Sequence, residues 1–445
     1  MTRHLVPEGR RAAGVHVLPL AKAGIFPMKA ISIDYLPNGL AVVVESMGHV
    51  RSVSYDLAIP SGALLDDDGH IGASAVLQEL ITRGARGMSA FELSNKFDEA
   101  GVVHGEGCGF DRASFSGSLL PDSLGTAFNL VAAMLFEPNL DEEEIPNICS
   151  VFQQDISSIT DSPARHASMG FEQVFFPEPF SRPSCGRLAD LQNISGSSLR
   201  ALWQKRYRPN GAVLSVAGNI TREVVLKLAE QYFGDWKGDA GKRPPFTALR
   251  TGAAAHIRSQ SEQVQLFIGY PGAKFLDPHY YAARVLNVIL SGGMFGRLFV
   301  EVREKRGLCY SVHSSHAGFN EYGYVRAYAG TTPDRAATTL EVLQAELNAV
   351  PGTIKEEELT RAKANLKASL VMNLETPAAR AGANLIEWWM RRSVRALDEI
   401  EQKISAVDTR AIDAYVAAYP PSAATVVTLG PEPLVSGAVE TTVVL

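Results

Sequence analysis

Apolar and polar residues begin to alternate near residue 30. Ile31-Ser32-Ile33-Asp34-Tyr35-Leu36 and Leu40-Ala41-Val42-Val43-Val44-Glu45 flank Pro37-Asn38-Gly39. An Asn-Gly step between two β-rich runs predicts a hairpin, because both residues tolerate the turn's unusual backbone. A third strand reads at Val53-Ser54-Tyr55-Asp56-Leu57-Ala58-Ile59. Helical periodicity occupies roughly 70–83 and 89–100, and period-two alternation over 112–120 predicts another strand. Helical patterns follow over 122–135 and 142–160, then a strand over 212–218 and a helix over 221–233. Residues 1–25 show no period and read as an irregular arm.

The stretch from Gly234 to Gly252 carries Gly238, Gly241, Pro244 and Pro245 with little periodicity, which marks a linker. Beyond it the same order of elements returns. Gln263–Tyr270 matches the strand at 53–59, helices are expected at 278–290 and 294–305, and Gly323–Gly330 matches the strand at 112–119. In each half that strand runs into a Pro-Asp step that opens a helix, Pro121-Asp122 and Pro333-Asp334. The repetition implies duplication of one α+β unit. The expected divisions are an arm (1–25), a first half (26–235), a linker (236–252) and a second half (253–445).

Composition narrows the function classes. The 445 residues are 46% hydrophobic and 20% charged, as in ordinary globular proteins, and suffice for two or three domains. A formal net charge of −6 gives no basic surface for nucleic acid. No apolar run reaches bilayer length. The N-terminus, with Arg10-Arg11, is not followed by the apolar core of a secretory signal, so a cytoplasmic location is expected. Cys108, Cys149, Cys185 and Cys309 lack CxxC spacing and read as free thiols. No nucleophile elbow, Walker loop or dinucleotide fingerprint is present. Gly105-Glu106-Gly107-Cys108-Gly109 lacks the Lys-Ser/Thr of a phosphate loop and reads as a connection between helix and strand. His313 and His316 lie on a strand where they alternate across it, so they do not converge on a metal. His70 and His104 are isolated.

The stretch with most chemical content is Gly292-Gly293-Met294-Phe295-Gly296-Arg297-Leu298-Phe299, leading into Arg303-Glu304-Lys305-Arg306-Gly307-Leu308-Cys309-Tyr310. Arg303 falls late in the expected helix, and Gly307 is suited to the left-handed position past its end. The following strand then carries Tyr310 back towards Arg303. A fixed cation with forked donors and a phenol donor together suit a peptide carbonyl or a developing oxyanion. This stretch resembles the second-half signature of pitrilysin-type metallopeptidases, closest to their processing-peptidase branch. Arg206–Asn219 and Pro37–Leu40 resemble the family's closing strand and opening hairpin. The resemblance implies an α+β fold of two homologous halves, each a mostly antiparallel sheet packed with helices, as in the LuxS-like metallohydrolases. It also implies that Arg303 and Tyr310 are a substrate-binding pair with a catalytic role. Aligning Gly101 with Gly307 puts Phe97 opposite Arg303 and His104 opposite Tyr310, so the pair belongs to the second half alone.

Active members of that family carry His-x-x-Glu-His on a first-half helix. The two histidines share one face, the glutamate serves as general base, and a later glutamate completes the zinc site. Here the matching helix reads Gly72-Ala73-Ser74-Ala75-Val76-Leu77-Gln78-Glu79-Leu80-Ile81-Thr82-Arg83-Gly84. Ala75, Gln78 and Glu79 stand at the three motif positions, and Asp155 lies in the third-ligand region. Two carboxylates without imidazole make a poor zinc site, so no zinc is expected in this chain. The resemblance implies a substrate-binding, non-zinc subunit that cleaves extended peptides only with a homologous zinc-bearing partner. The alternative is a structural or peptide-binding relative without peptidase activity. Neither reading calls for a membrane or nucleic-acid partner.

Overall fold

The structure, a computed structural model, describes residues 31–445; the arm expected over 1–25 lies outside them. The first sheet comprises β1 (Ser32–Tyr35), β2 (Ala41–Ser46), β3 (Val53–Ile59), β4 (Val103–Cys108), β5 (Ala113–Leu119) and β6 (Val213–Gly218), in the order β1-β2-β6-β3-β5-β4. Only β2 and β6 run parallel. The second sheet comprises β7 (Ala254–Arg258), β8 (Val264–Pro271), β9 (Ser311–Gly318), β10 (Gly323–Thr331), β11 (Thr425–Gly430) and β12 (Val439–Glu440), ordered β9-β10-β8-β11-β7-β12. Both neighbours of β7 are parallel to it and the other pairs are antiparallel. The class is α+β, with two mixed sheets packed with helices.

The opening hairpin forms as its residues dictate. Ser32 pairs with Val44, and Gly39 takes φ +90°. The Asn38 amide donates to the carbonyls of Phe233 (2.7 Å) and Trp236 (3.1 Å), which ties the turn to the end of the first half.

Each sheet buries alternate residues on different partners. On β3, Val53, Tyr55, Leu57 and Ile59 join the first half's own core with α1 (Ala73–Ile81), α2 (Ala90–Glu99) and α3 (Leu124–Phe136). The opposite face meets a helix from the other half. Ala41, Val43, Ala58 and Val213 pack against Leu385, Trp388 and Trp389 of the helix Pro377–Arg391. The exchange is reciprocal, because the first-half helix Pro163–Phe175 lays Ala167, Phe171 and Phe175 on Phe267, Val427 and Leu429 of the second sheet. Both exchanged helices begin with proline, which suits the first helical turn, where no hydrogen bond is lost.

Two local expectations are corrected. No α-helix spans 294–305: Gly292, Gly293 and Gly296 hold the start in turns, and a π-helix covers Phe299–Glu304. Its wider step shows in the Lys305 amide, which donates to the Val300 carbonyl at 2.9 Å. Gly105–Gly109 is not a connection either. Residues 103–108 form edge strand β4, held by pairing to β5 in the register Gly105–Ser116 and Gly107–Ser114. Backbone pairing overrides the weak strand preference of glycine.

Candidate functional site

Arg303 lies in the last turn of the π-helix and Tyr310 precedes β9, with Gly307 at φ +59° turning the chain between them. The Arg303 guanidinium lies over the Tyr310 ring at 5.3 Å and over the Phe299 ring at 4.9 Å. Its Nη1 donates to the Tyr310 carbonyl at 2.9 Å. Neighbouring arginines are consumed by carboxylates: Arg297 by Glu358 at 2.8 Å and Arg306 by Glu301 at 2.8 Å. Among the described residues no carboxylate pairs with Arg303, so its other donors remain free. Tyr310 is 83% exposed. A cavity of about 340 Å³, lined by Gln263, Gly307, Tyr310, Tyr328 and Arg335, opens beside it. Cys309 is buried, and its thiol is pushed up to about 11 by that burial, against the pull of Arg303. It offers no thiolate nucleophile near neutral pH.

The first half carries a matching pair with different chemistry. Phe97 and His104 stack at 4.0 Å, as Arg303 does on Tyr310, but Phe97 is fully buried and His104 Nδ1 bonds Glu106 at 2.9 Å. The sequence alignment of Gly101 with Gly307 thus has a spatial counterpart.

Helix α1 holds the residues that stand where the zinc motif would be. Ala75 brings no donor atom. Gln78 is buried and committed on both sides, accepting from the Tyr207 hydroxyl at 2.7 Å and donating to the Ser114 carbonyl at 3.3 Å. Burial raises the Tyr207 hydroxyl well above the usual phenol range, so it is a permanent donor. Glu79 points outward to Arg83 at 2.6 Å. Asp155 is held in a two-pronged pair by Arg165 at 2.9 and 2.7 Å, which lowers its carboxyl. The helix start is fixed by Asp66, which accepts from the backbone amides of Gly72 (2.7 Å) and Ser74 (3.0 Å). Burial nevertheless pushes its carboxyl up to about 6. These side chains do not fit a zinc ion, because the donors are absent, saturated or aimed apart. Among the described residues no group of three His, Cys, Asp or Glu converges to hold a metal.

The strand histidines are structural. His313 packs against Tyr328 at 5.0 Å, while His316 donates from Nε2 to the Ala273 carbonyl at 2.9 Å, and burial lowers it to about 4. What sequence reasoning missed is the Tyr207–Gln78–Ser114 chain, whose members lie far apart along the sequence.

Two family models match this chain in succession. "Insulinase (Peptidase family M16)" covers residues 41–176 and "Peptidase M16 inactive domain" covers 193–366. The chain belongs to peptidase family M16. M16 relatives include an uncharacterized zinc protease of Streptomyces coelicolor, 29% identical over 91% of this chain and 90% of its own. The uncharacterized zinc protease YmxG of Bacillus subtilis is 28% identical over 84% and 92%. Among solved structures, a peptidase M16 inactive domain from Pseudomonas fluorescens superposes with a TM-score of 0.83 at 21% identity, covering 93% of this chain and all of that one. A protease from Helicobacter pylori gives 0.82, also at 21%, over 91% of this chain and all of its own. These likenesses establish the M16 fold. Among the described residues no helix is long and apolar enough to cross a membrane.

Proposed function

We propose that this M16 chain is the substrate-binding, non-zinc subunit of a heterodimeric zinc metallopeptidase that cleaves extended peptides. The observation that carries the reading is the Arg303–Tyr310 pair, a half-buried guanidinium with free donors against an exposed phenol, on a chain whose Ala75, Gln78 and Glu79 do not fit zinc. Arg303 and Tyr310 would donate to a carbonyl of the peptide and stabilise charge that develops on that oxygen. The metal would reside on a homologous partner bearing His-x-x-Glu-His. A peptide held in extended form at a sheet edge would lie between the two chains. A purely structural relative has no need of an arginine without a carboxylate partner stacked on an exposed tyrosine, so the non-catalytic alternative is the weaker reading. The test is reconstitution: the isolated chain is expected to be inactive on peptides, and mixing with the zinc-bearing homologue is expected to produce peptidase activity. Full activity in the isolated chain would overturn the proposal.

A further inference from the structure

The Arg303 fork is aimed by the backbone it grips. One nitrogen, Nη1, donates to the Tyr310 carbonyl at 2.9 Å, so the direction of the remaining donors follows the place of that carbonyl. Tyr310 ends the irregular segment over residues 307–310, which belongs to neither the π-helix nor β9. Such a segment holds its shape only as well as its own polar groups are tied.

The ties come from the end of β10 and from the helix that follows it, Ala336–Asn348. The Tyr310 amide donates to the Gly330 carbonyl at 3.2 Å, and Arg335 Nη1 donates to the Gly307 carbonyl at 2.7 Å. Between these two, the Thr331 hydroxyl donates to the Leu308 carbonyl at 2.6 Å. Thr339 stands behind it, with Oγ1 at 3.2 Å from Thr331 Oγ1 and 3.3 Å from the Leu308 carbonyl. A hydroxyl has one proton to give, and the nearest acceptor for that of Thr339 is the Arg335 carbonyl at 2.8 Å. The Leu308 carbonyl therefore depends on Thr331. Thr331 is 4% exposed and Thr339 is fully buried, so bulk water does not reach this carbonyl from their side. A buried carbonyl that loses its donor is costly, and the segment would shift to relieve it.

The first half is an internal control. Counted from the Pro-Asp step of each half, Thr331, Arg335 and Thr339 correspond to Leu119, Ser123 and Ala127. Leu119 and Ala127 are buried in the first-half core. Apolar residues thus suffice to end the strand and pack the helix at these places. The half with Phe97 and His104 at the pair's positions has no hydroxyl at either buried position, and the half with Arg303 and Tyr310 has one at both.

We propose that Thr331 is a positioning residue for the Arg303/Tyr310 pair. By holding the Leu308 carbonyl it fixes the segment that carries Tyr310, and through the Tyr310 carbonyl it fixes the aim of the Arg303 fork. Preorganised donors of this kind lose their effect when displaced by about an ångström. What the aimed pair does to a peptide rests on the functional reading above, but the aiming itself needs no partner chain.

The test has two arms. The first uses the isolated full chain with isotope-labelled arginine and reads the rotation rate of the Arg303 guanidinium by NMR, the signal being assigned by its loss in Arg303→Lys. Thr331→Val, which replaces the hydroxyl by a methyl group, is expected to speed that rotation at least tenfold, and Thr331→Ser, which keeps the hydroxyl, to match the parent. Arg335→Ala, at an exposed position, frees the Gly307 carbonyl and is expected to act in the same direction; it decides the arm should Thr331→Val not fold. The second arm uses the reconstituted peptidase. Thr331→Val is expected to lower kcat/KM at least tenfold, chiefly through kcat, Thr331→Ser to restore it to within about twofold, and Thr331→Val to add nothing in an Arg303→Ala background. Parent-like rotation in folded Thr331→Val would overturn the proposal. So would a loss of activity that persists undiminished without Arg303, since the threonine would then act on the fold and not through the arginine. A complex without activity would instead sink the functional reading, and the NMR arm would still decide this one.

Discussion

At the scale of single residues, Arg303 and Asp56 make opposite uses of charge. Arg303 keeps a guanidinium free by stacking it on Phe299 and Tyr310, without spending it on a carboxylate. If the pair stabilises charge on a peptide oxygen, Arg303→Ala in the reconstituted peptidase is expected to lower kcat/KM by about 10²–10³-fold. Arg303→Lys should recover only part of that, because an ammonium lacks the planar fork. Steady-state kinetics check both, and undiminished kcat/KM in Arg303→Ala would remove the residue from the site. Asp56 faces the exchanged helix Pro377–Arg391, and its Oδ1 is buried without a partner. Burial pushes its carboxyl up to about 6, against the opposing pull of Arg112. An unfolded aspartate titrates near 3.9. The folded state therefore binds this proton more tightly, and stability falls as pH rises from about 4 to about 6, by on the order of 3 kcal/mol. Asp56→Asn is expected to match the parent below pH 4 and to exceed it above pH 6, read as urea midpoints across that range. A difference that does not change with pH would contradict the assignment.

At the scale of elements, the reciprocal helices explain what the sequence disclosed and what it hid. Strands such as Val53–Ile59 were legible because alternation survives wherever the two faces differ in polarity. The duplication was legible because Pro121-Asp122 and Pro333-Asp334 occupy matching places. Periodicity shows that a helix such as Pro163–Phe175 has an apolar face, but it does not say which half that face covers. The π-helix over Phe299–Glu304 was hidden for a similar reason, since its register depends on the turn at Gly292–Gly296. Strand β4 was hidden because four of its six residues are Gly, His or Cys and its pairing supplies the order. The exchange itself is testable. Gly269 on β8 leaves room for Phe171, and a β-carbon there would come within 2.3 Å of that ring. Gly269→Val is expected to cost about 1–3 kcal/mol by overpacking, seen as a lower denaturant midpoint. An unchanged midpoint would mean that the two surfaces are not tightly packed.

At the scale of the whole molecule, loss and retention fall on different halves. The first half keeps the helix of the zinc motif, but Gln78 now joins Tyr207 to Ser114 and Glu79 faces Arg83. The second half keeps a half-buried cation against an exposed phenol at the head of an edge strand. The Arg303/Tyr310 pair was legible as a motif. That its guanidinium has no carboxylate partner was not, because Glu301, Glu304 and Glu358 all lie nearby along the sequence or the fold, and only packing shows that Glu301 takes Arg306, Glu358 takes Arg297 and none pairs with Arg303. The central claim is that this chain supplies half of a peptidase site and its partner the metal. The most direct measurement is to co-purify the chain with its zinc-bearing homologue, separate the two and determine zinc in each while assaying the complex. The account expects one zinc per complex, all of it in the partner, with peptidase activity only in the complex. Stoichiometric zinc in this chain, or an equally active partner alone, would contradict it.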